Sequence, residues 1–239
     1  FNCIGENYDE TKMHDVHVTG TDNLAKYCDI KHWIQLSSIA VYGDIHDGII
    51  TEEYKKNPVT VYQKTRMLCE ERLISHAKKK GFNFTILRPS KIIGKHSSDN
   101  SIFLLEKYIS LKLFFYIGSK GASFNYISDK NIIDALILCI ANRNAKNKIY
   151  NVSDYTTLET AVETIKKIKK IKNQSFRLPS SFVIVLVSFL EFIPKFPISI
   201  RQIKGLTTQA VFSISKIKDD LGYSNKIKIV DVLQEIIEK

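Results

Sequence analysis

Glycine is scarce in this chain. Ten glycines are spread over 239 residues, and none falls in a G-x-x-G-x-x-G spacing. A glycine-rich turn that cradles phosphates on its backbone amides is therefore missing. Five prolines and no biased stretch exclude a low-complexity linker. The four cysteines, Cys3, Cys28, Cys69 and Cys139, are far apart and form no Cys-x-x-Cys pair. That excludes a disulfide framework and a cysteine zinc site, and fits a reducing cytoplasm. The stretch "HDVH" sets His14 and His17 three apart without a third ligand, so no metal is expected. The opening "FNCIG" has neither the basic start nor the long apolar region of a signal peptide. No internal repeat is present. The most apolar run, residues 182–193, would be about 18 Å long as a helix. A bilayer core is about 30 Å thick, so the run cannot span one.

What is present is a hydrophobic content of 44% and a net charge of +10. The length suits one large domain or two small ones. The charge invites an acidic partner: nucleic acid, an anionic membrane or a phosphorylated substrate. No aromatic–basic motif accompanies it, so no nucleic-acid role is expected.

Periodicity divides the chain. A helix entered near residues 19–21 carries Val18, Leu24, Ala25 and Cys28 at helical spacing. "HWIQLSS" is a compact strand, "ITEEYKKNP" a polar loop, and "VYQKTRMLCEERLISHAKKKG" a helix stopped by Gly81. "FNFTILRP" reads as a buried strand, "IFLLEKYISL" as a helix and "KLFFYIGS" as an extended run. "NIIDALILCIANR" is an apolar helix, with Asp129 as its candidate cap, and "KIYNVSD" a strand. Strands and helices alternate to about residue 155, which predicts an α/β fold with a doubly wound parallel sheet. Residues 156–239 read as a smaller, mixed and mainly helical region.

Three stretches carry chemistry: "SSIAVYG" after a strand, "YQKTR" opening a helix, and "TILRPSKIIG" after the next strand. In a doubly wound sheet the carboxyl ends of neighbouring strands meet at one crevice. Ser37, Ser38, Tyr62, Arg66 and residues 88–90 can meet there. Tyr62 and Arg66, four apart, share one helix face. A nearby cation favours the phenolate form of a tyrosine, and a serine hydroxyl can hold the substrate oxygen.

The ordered set "HDVHVTGTDNL", "WIQLSSIAVYG", "TEEYKKNPVTVYQKT", "FTILRPSKIIG" and "SFNYISDKNIIDAL" resembles the extended short-chain dehydrogenase/reductase family, in its NAD-dependent sugar epimerase/dehydratase branch. The tail "SISKIKDDLGYSNKIKIVDVLQEII" resembles that family's closing segment. The resemblance implies a Rossmann-like domain over residues 1–155, with part of the substrate region inserted after about residue 95 and the rest in 156–239. It puts Ser38 on the catalytic Ser/Thr, Tyr62 on the catalytic tyrosine and Arg66 on the family's lysine. Tyr62, Arg66, Ser37, Pro89 and Ser90 fall on its cofactor contacts. The implied cofactor is NAD, with NADP open. Two departures stand out besides Arg66. His17 occupies a position where the family usually has Asn. The absent glycine fingerprint implies roughly 60 residues, two strand–helix units, ahead of Phe1.

Dehydratases of the family follow the catalytic Ser/Thr with an Asp-Glu pair, where this chain has Ile39 and Ala40. Neither can transfer a proton. The resemblance thus implies a 4-epimerase of a nucleotide-linked or polyprenyl-diphosphate-linked sugar, working as a homodimer in surface polysaccharide synthesis. Two alternatives remain open at this point: a dehydrogenase or reductase of a lipid or sterol-like alcohol, and a catalytically impaired dinucleotide-binding protein. Ile165, Ile168 and Ile171 line one side of a lysine-rich helix, a pattern that suits an anionic membrane surface. The run 182–193 is a buried core helix, an interfacial segment or a dimer contact. Together these lead to the expectation of a cytoplasmic protein with peripheral contact at the inner membrane face.

Overall fold

The computed structural model describes residues 2–3, 6, 9–95, 100–173, 175–190 and 200–238. Phe1 and Ile4, read as the end of a strand, lie outside the described residues, as do residues 191–199 of the apolar stretch. The first helical stretch starts earlier than its periodicity suggests. Asp9 caps α1 (Glu10–His14) by accepting the Thr11 amide at 3.1 Å. A π-helical segment (Asp15–Thr19) follows, and α2 (Gly20–Tyr27) continues the same stretch. Residues 19–21 are thus the middle of a helical run and not its start.

After β1 (His32–Leu36) comes one 3₁₀ turn (Ile39–Tyr42), then β2 (Asp47–Ile50). A capping box opens α3 (Val61–Lys80): the Thr60 hydroxyl accepts the Gln63 amide, and Gln63 Oε1 accepts the Thr60 amide. Gly81 closes it in the left-handed region at φ 76°. There follow β3 (Asn83–Pro89), β4 (Lys91–Ile93), α4 (Ser101–Ser110), β5 (Tyr116–Ile117), β6 (Ser123–Ser128) and α5 (Asp129–Ala141). Ser128 holds the N-cap position of α5 and its hydroxyl accepts the Lys130 amide at 3.3 Å, while the Asp129 carboxylate accepts the same amide at 2.7 Å. The remaining elements are β7 (Lys148–Val152), β8 (Asp154–Thr157), α6 (Leu158–Ile168), β9 (Arg177–Leu178), α7 (Ser180–Leu190), α8 (Ile200–Leu206), β10 (Gln209–Phe212), α9 (Ser215–Leu221) and α10 (Ile229–Ile237).

The main sheet is parallel, in the order β1-β3-β7, and Asn2 bridges to Gln35 on β1. Successive residues of a strand face opposite sides. Trp33 and Ile86 accordingly pack with Ala25, Leu73 and Ala77 of α2 and α3. Ile34 and Leu87 pack with Ile132, Ala135, Ile217 and Leu221 of α5 and α9. Burial on both faces explains why these strands read as near-continuous apolar runs. The fold is α/β, Rossmann-like, as the alternation of strands and helices predicts.

The second half packs its helices α6 and α10 against α4, and the three share a core with Phe124 of β6. It also returns to the first half. β10 pairs in parallel with β2, and α9 covers the β7 side of the main sheet. α6 ends at Ile168, so Ile171 lies beyond the helix. Ile165 is fully buried, and Ile168 and Ile171 pack against that core, leaving Lys167, Lys169, Lys170 and Lys172 exposed. α7 is buried on one side only: Val183 and Val187 pack on Ile203, while Phe182, Val185, Leu186 and Phe189 are exposed. It is therefore not a fully buried core helix. Among the described residues, no helix is long and apolar enough to cross a membrane.

One buried ion pair ties the first-half elements together. Glu70 of α3 is 0% exposed and Arg88 of β3 is 2% exposed. Arg88 donates from Nε to Glu70 Oε1 at 2.9 Å and from Nη2 to Oε2 at 2.7 Å. Ser37 donates to Glu70 Oε1 at 2.7 Å, and Lys56 stands 3.5 Å from Oε2. Arg88 Nη1 donates to the Tyr42 hydroxyl at 2.9 Å, and Tyr42 donates to Asn151 Oδ1 at 2.7 Å. Burial disfavours the Arg88 charge, but the hydrogen bonds and charge of Glu70 more than reverse this, so its pKa is raised. Replacing Arg88 by Met leaves a buried carboxylate without its bidentate partner. In urea unfolding, R88M is expected to lose about 3–5 kcal/mol, and R88M/E70L to recover most of that loss.

Candidate functional site

Ser38 and Ser90 each lie just past the carboxyl end of a parallel strand, β1 and β3, and these two strands are neighbours in the sheet. This is where open α/β sheets hold ligands. The backbone of Ser38 is extended, and its hydroxyl accepts the Ala40 amide at 3.1 Å to start the 3₁₀ turn. The side chain is half-buried. The turn closes at Gly43, φ 84°, where a Cβ would run into the carbonyl oxygen of Asn57. That contact explains the glycine of "VYG".

The capping box puts Tyr62 in the first turn of α3, half-buried, and Arg66 one turn further on the same side. The Arg66 guanidinium carbon sits 5.3 Å from the centre of the Tyr62 ring, within cation–π range. His17 approaches the same ring edge-on, 5.9 Å between centroids at 79°. His17 is 1% exposed. Its Nε2 accepts the Glu6 amide at 2.9 Å and its Nδ1 lies 2.8 Å from the Thr65 hydroxyl. Burial first, and the Arg66 charge second, push its pKa from 6.5 to about 4. The imidazole is neutral at neutral pH.

The expected site residues divide in two. Tyr62, Arg66 and Ser38 belong to adjoining elements, since α3 packs on the 3₁₀ turn that Ser38 caps. Ser37, expected at the cofactor, instead points inward and spends its hydroxyl hydrogen on Glu70. Alternation along the chain explains the difference between these two neighbours. Ser90 is 3% exposed, and its hydroxyl is buried with no hydrogen-bond partner. An unsatisfied buried hydroxyl costs about 1–3 kcal/mol, so this atom is suited to a polar ligand group. Its amide donates to the Val152 carbonyl at 2.9 Å, which fixes the loop after Pro89. The nicotinamide side of a dinucleotide thus has a fitting group, whereas nothing here forms a glycine-rich phosphate cradle. Among the described residues no set of His, Cys, Asp or Glu could hold a metal.

Sequence reasoning missed Glu70 and Thr65. The signal for Glu70 was its place on the buried side of α3, four residues after Arg66 and eight after Tyr62. Tyr42, conspicuous in "VYG", is buried, and that burial raises its pKa. With its hydroxyl held by Arg88 and Asn151, it is a structural hub.

A family model described as the NAD dependent epimerase/dehydratase family matches residues 3–153. A UDP-glucose 4-epimerase of Vibrio cholerae is 28% identical over 160 residues, covering 63% of this chain and 48% of that protein. A UDP-glucose 4-epimerase of Lactobacillus helveticus is 29% identical over 187 residues, covering 67% of this chain and 56% of that protein. The chain spans about half the length of these curated relatives. The crystal structure of UDP-glucuronic acid 4-epimerase from Bacillus cereus in complex with NAD matches with a TM-score of 0.75. It shares 16% identity and covers 99% of this chain and 73% of that one. RMD from Pseudomonas aeruginosa, complexed with NADPH, matches at a TM-score of 0.73 and 17% identity, covering 98% and 77%. At these identities the structures establish the shared fold.

His17 carries a pH signature. Its folded pKa lies below its ordinary value, so the native state binds fewer protons than the unfolded chain between pH 6.5 and about 4. The stability from this group is complete above pH 6.5 and is lost as pH falls through about 4. Thermal unfolding followed over this window should fall more steeply for the wild type than for H17Q. Parallel curves would contradict the assignment.

Proposed function

The chain belongs to the NAD dependent epimerase/dehydratase family, and we propose that it epimerises a nucleotide-linked sugar at C4 by transient hydride transfer. The observation that carries this reading is the Arg66 guanidinium over the Tyr62 ring, on a helix packed against the turn that Ser38 caps. A bound NAD would supply the acceptor, and then the donor, for a hydride at the sugar carbon. Tyr62 takes the hydroxyl proton and gives it back. The Ser38 hydroxyl holds the substrate oxygen. Arg66 sets a guanidinium over the Tyr62 ring, and unlike a lysine ammonium it cannot relay a proton. Pro89 ends β3, and the buried Ser90 hydroxyl that follows it would be a residue to hold the cofactor. Ile39 and Ala40 after Ser38 offer no acid or base, which supports epimerisation over dehydration.

No glycine-rich turn of this sequence offers a backbone cradle for the dinucleotide phosphates. The finer form of the proposal has three parts: a polyprenyl-diphosphate-linked N-acetylhexosamine as substrate, a homodimer, and peripheral contact with the inner membrane face during surface polysaccharide synthesis. The exposed apolar side of α7 and the exposed lysines after α6 support the membrane contact. The same α7 surface favours a second reading, a dehydrogenase of a lipid-like alcohol.

The test is turnover of UDP-glucose and UDP-galactose, and of the lipid-linked sugar, by the complete gene product. Epimerisation without net NADH release is expected, and Y62F should lower kcat by about 10²–10⁴. Net NADH accumulation would favour the second reading, and an unchanged rate for Y62F would overturn both. Flotation with anionic liposomes tests the membrane contact, and protein left wholly in solution argues against it.

A further inference from the structure

We infer that His17 is a positioning residue for Tyr62, a clamp that holds the first turn of α3 so that the phenol ring stays beneath Arg66. The inference rests on the reading of Tyr62 as the proton-transfer group. A backbone amide can only donate, so the Glu6 amide fixes His17 Nε2 as an acceptor. The ring proton is therefore on Nδ1, which donates to the Thr65 hydroxyl at 2.8 Å. Thr65 in turn donates to the backbone carbonyl of Tyr62 at 3.1 Å. Three hydrogen bonds thus run from the Glu6 amide through the imidazole to the main chain of Tyr62.

The π-helical segment is what aims this clamp. Its extra residue per turn shifts the side chains that follow by about 100° around the axis, relative to an uninterrupted α-helix. Across the interface the contacts form a ladder. His17 meets Thr65, and one turn further Thr21 meets Cys69, Oγ1 to Sγ at 3.0 Å. Thr21 also donates to the His17 carbonyl at 2.7 Å, and the Gly20 amide donates to Asp15. These bonds stabilise the π turn itself. With both ring nitrogens committed, His17 has no site left for the phenol proton, so it positions the tyrosine without sharing its chemistry. Among the described residues, the charged groups acting on it are Arg66 of α3 and the Glu6 carboxylate.

Two substitutions in the complete gene product separate this role from plain packing. H17L keeps the bulk and loses both hydrogen bonds. H17Q can accept from Glu6 and donate to Thr65. H17L is expected to lower kcat by about 10- to 100-fold with KM little changed, the cost of a slightly misplaced reacting group. H17Q should recover most of the loss. Nitrogen NMR of the imidazole should show a neutral ring protonated on Nδ1 at pH 6, whatever the activity. An unchanged kcat in H17L, or a ring charged or protonated on Nε2, would overturn the inference. Y62F separates this failure from that of the function. If Y62F is inactive and H17L is not, only the clamp is wrong. If Y62F keeps full activity, the function is wrong, and the NMR measurement still decides the state of His17. Should H17L fail to fold, H17Q and the NMR measurement remain decisive.

Discussion

The pairing of Arg88 with Glu70 is the constraint on which the first half of the molecule depends. Two charges buried this deeply are tolerable only when geometry and hydrogen bonding are nearly complete. Here the carboxylate takes a bidentate guanidinium, the Ser37 hydroxyl and a nearby ammonium. The guanidinium also reaches Tyr42 and, at 3.3 Å, the carbonyl of Glu52. The partners come from five stretches: the end of β1, the 3₁₀ turn, the loop after β2, which gives both Glu52 and Lys56, the middle of α3 and the end of β3. None of these can shift without exposing a charge to an apolar interior.

That constraint gives α3 two jobs. Its interior side, through Glu70, fixes the helix to the sheet. Nearer its start, with Arg66 one turn before and Tyr62 two turns before, the guanidinium lies over the phenol ring. Gln63 holds the first turn from one side, through the capping box and a hydrogen bond to Asp44, and His17 holds it from the other through Thr65. The first turn is thus braced at three points while the Tyr62 side chain stays half-buried. Ser90 shows the opposite arrangement. Its backbone is fixed, but its buried hydroxyl lacks a protein partner.

Much of this was legible in the residues. β1, β3 and β7 are buried on both faces, so their apolar runs stand out, and α3 announces itself through Thr60, Gln63 and Gly81. β5 and β9 have two residues each, too few for any local period, and β2 is defined by pairing with residues 209–212. The early start of the first helix was hidden because the π turn breaks the α-helical period on which the reading relied. Ser37 and Ser38 are chemically identical neighbours, and only the alternation of the strand end separates network from crevice. Glu70 and His17 look like an ordinary surface glutamate and an isolated histidine until the fold buries them.

The central claim is that the buried ion pair couples the site's stretches into one unit. Amide hydrogen exchange resolved by residue, compared between wild type and R88M under native conditions, tests it directly. Protection should fall together at Ser37, whose amide donates to Leu87, at Ser90, and in the first turn of α3. The core of α6 and α10 should keep its protection. Exchange that rises only next to residue 88, or equally everywhere, would contradict the account.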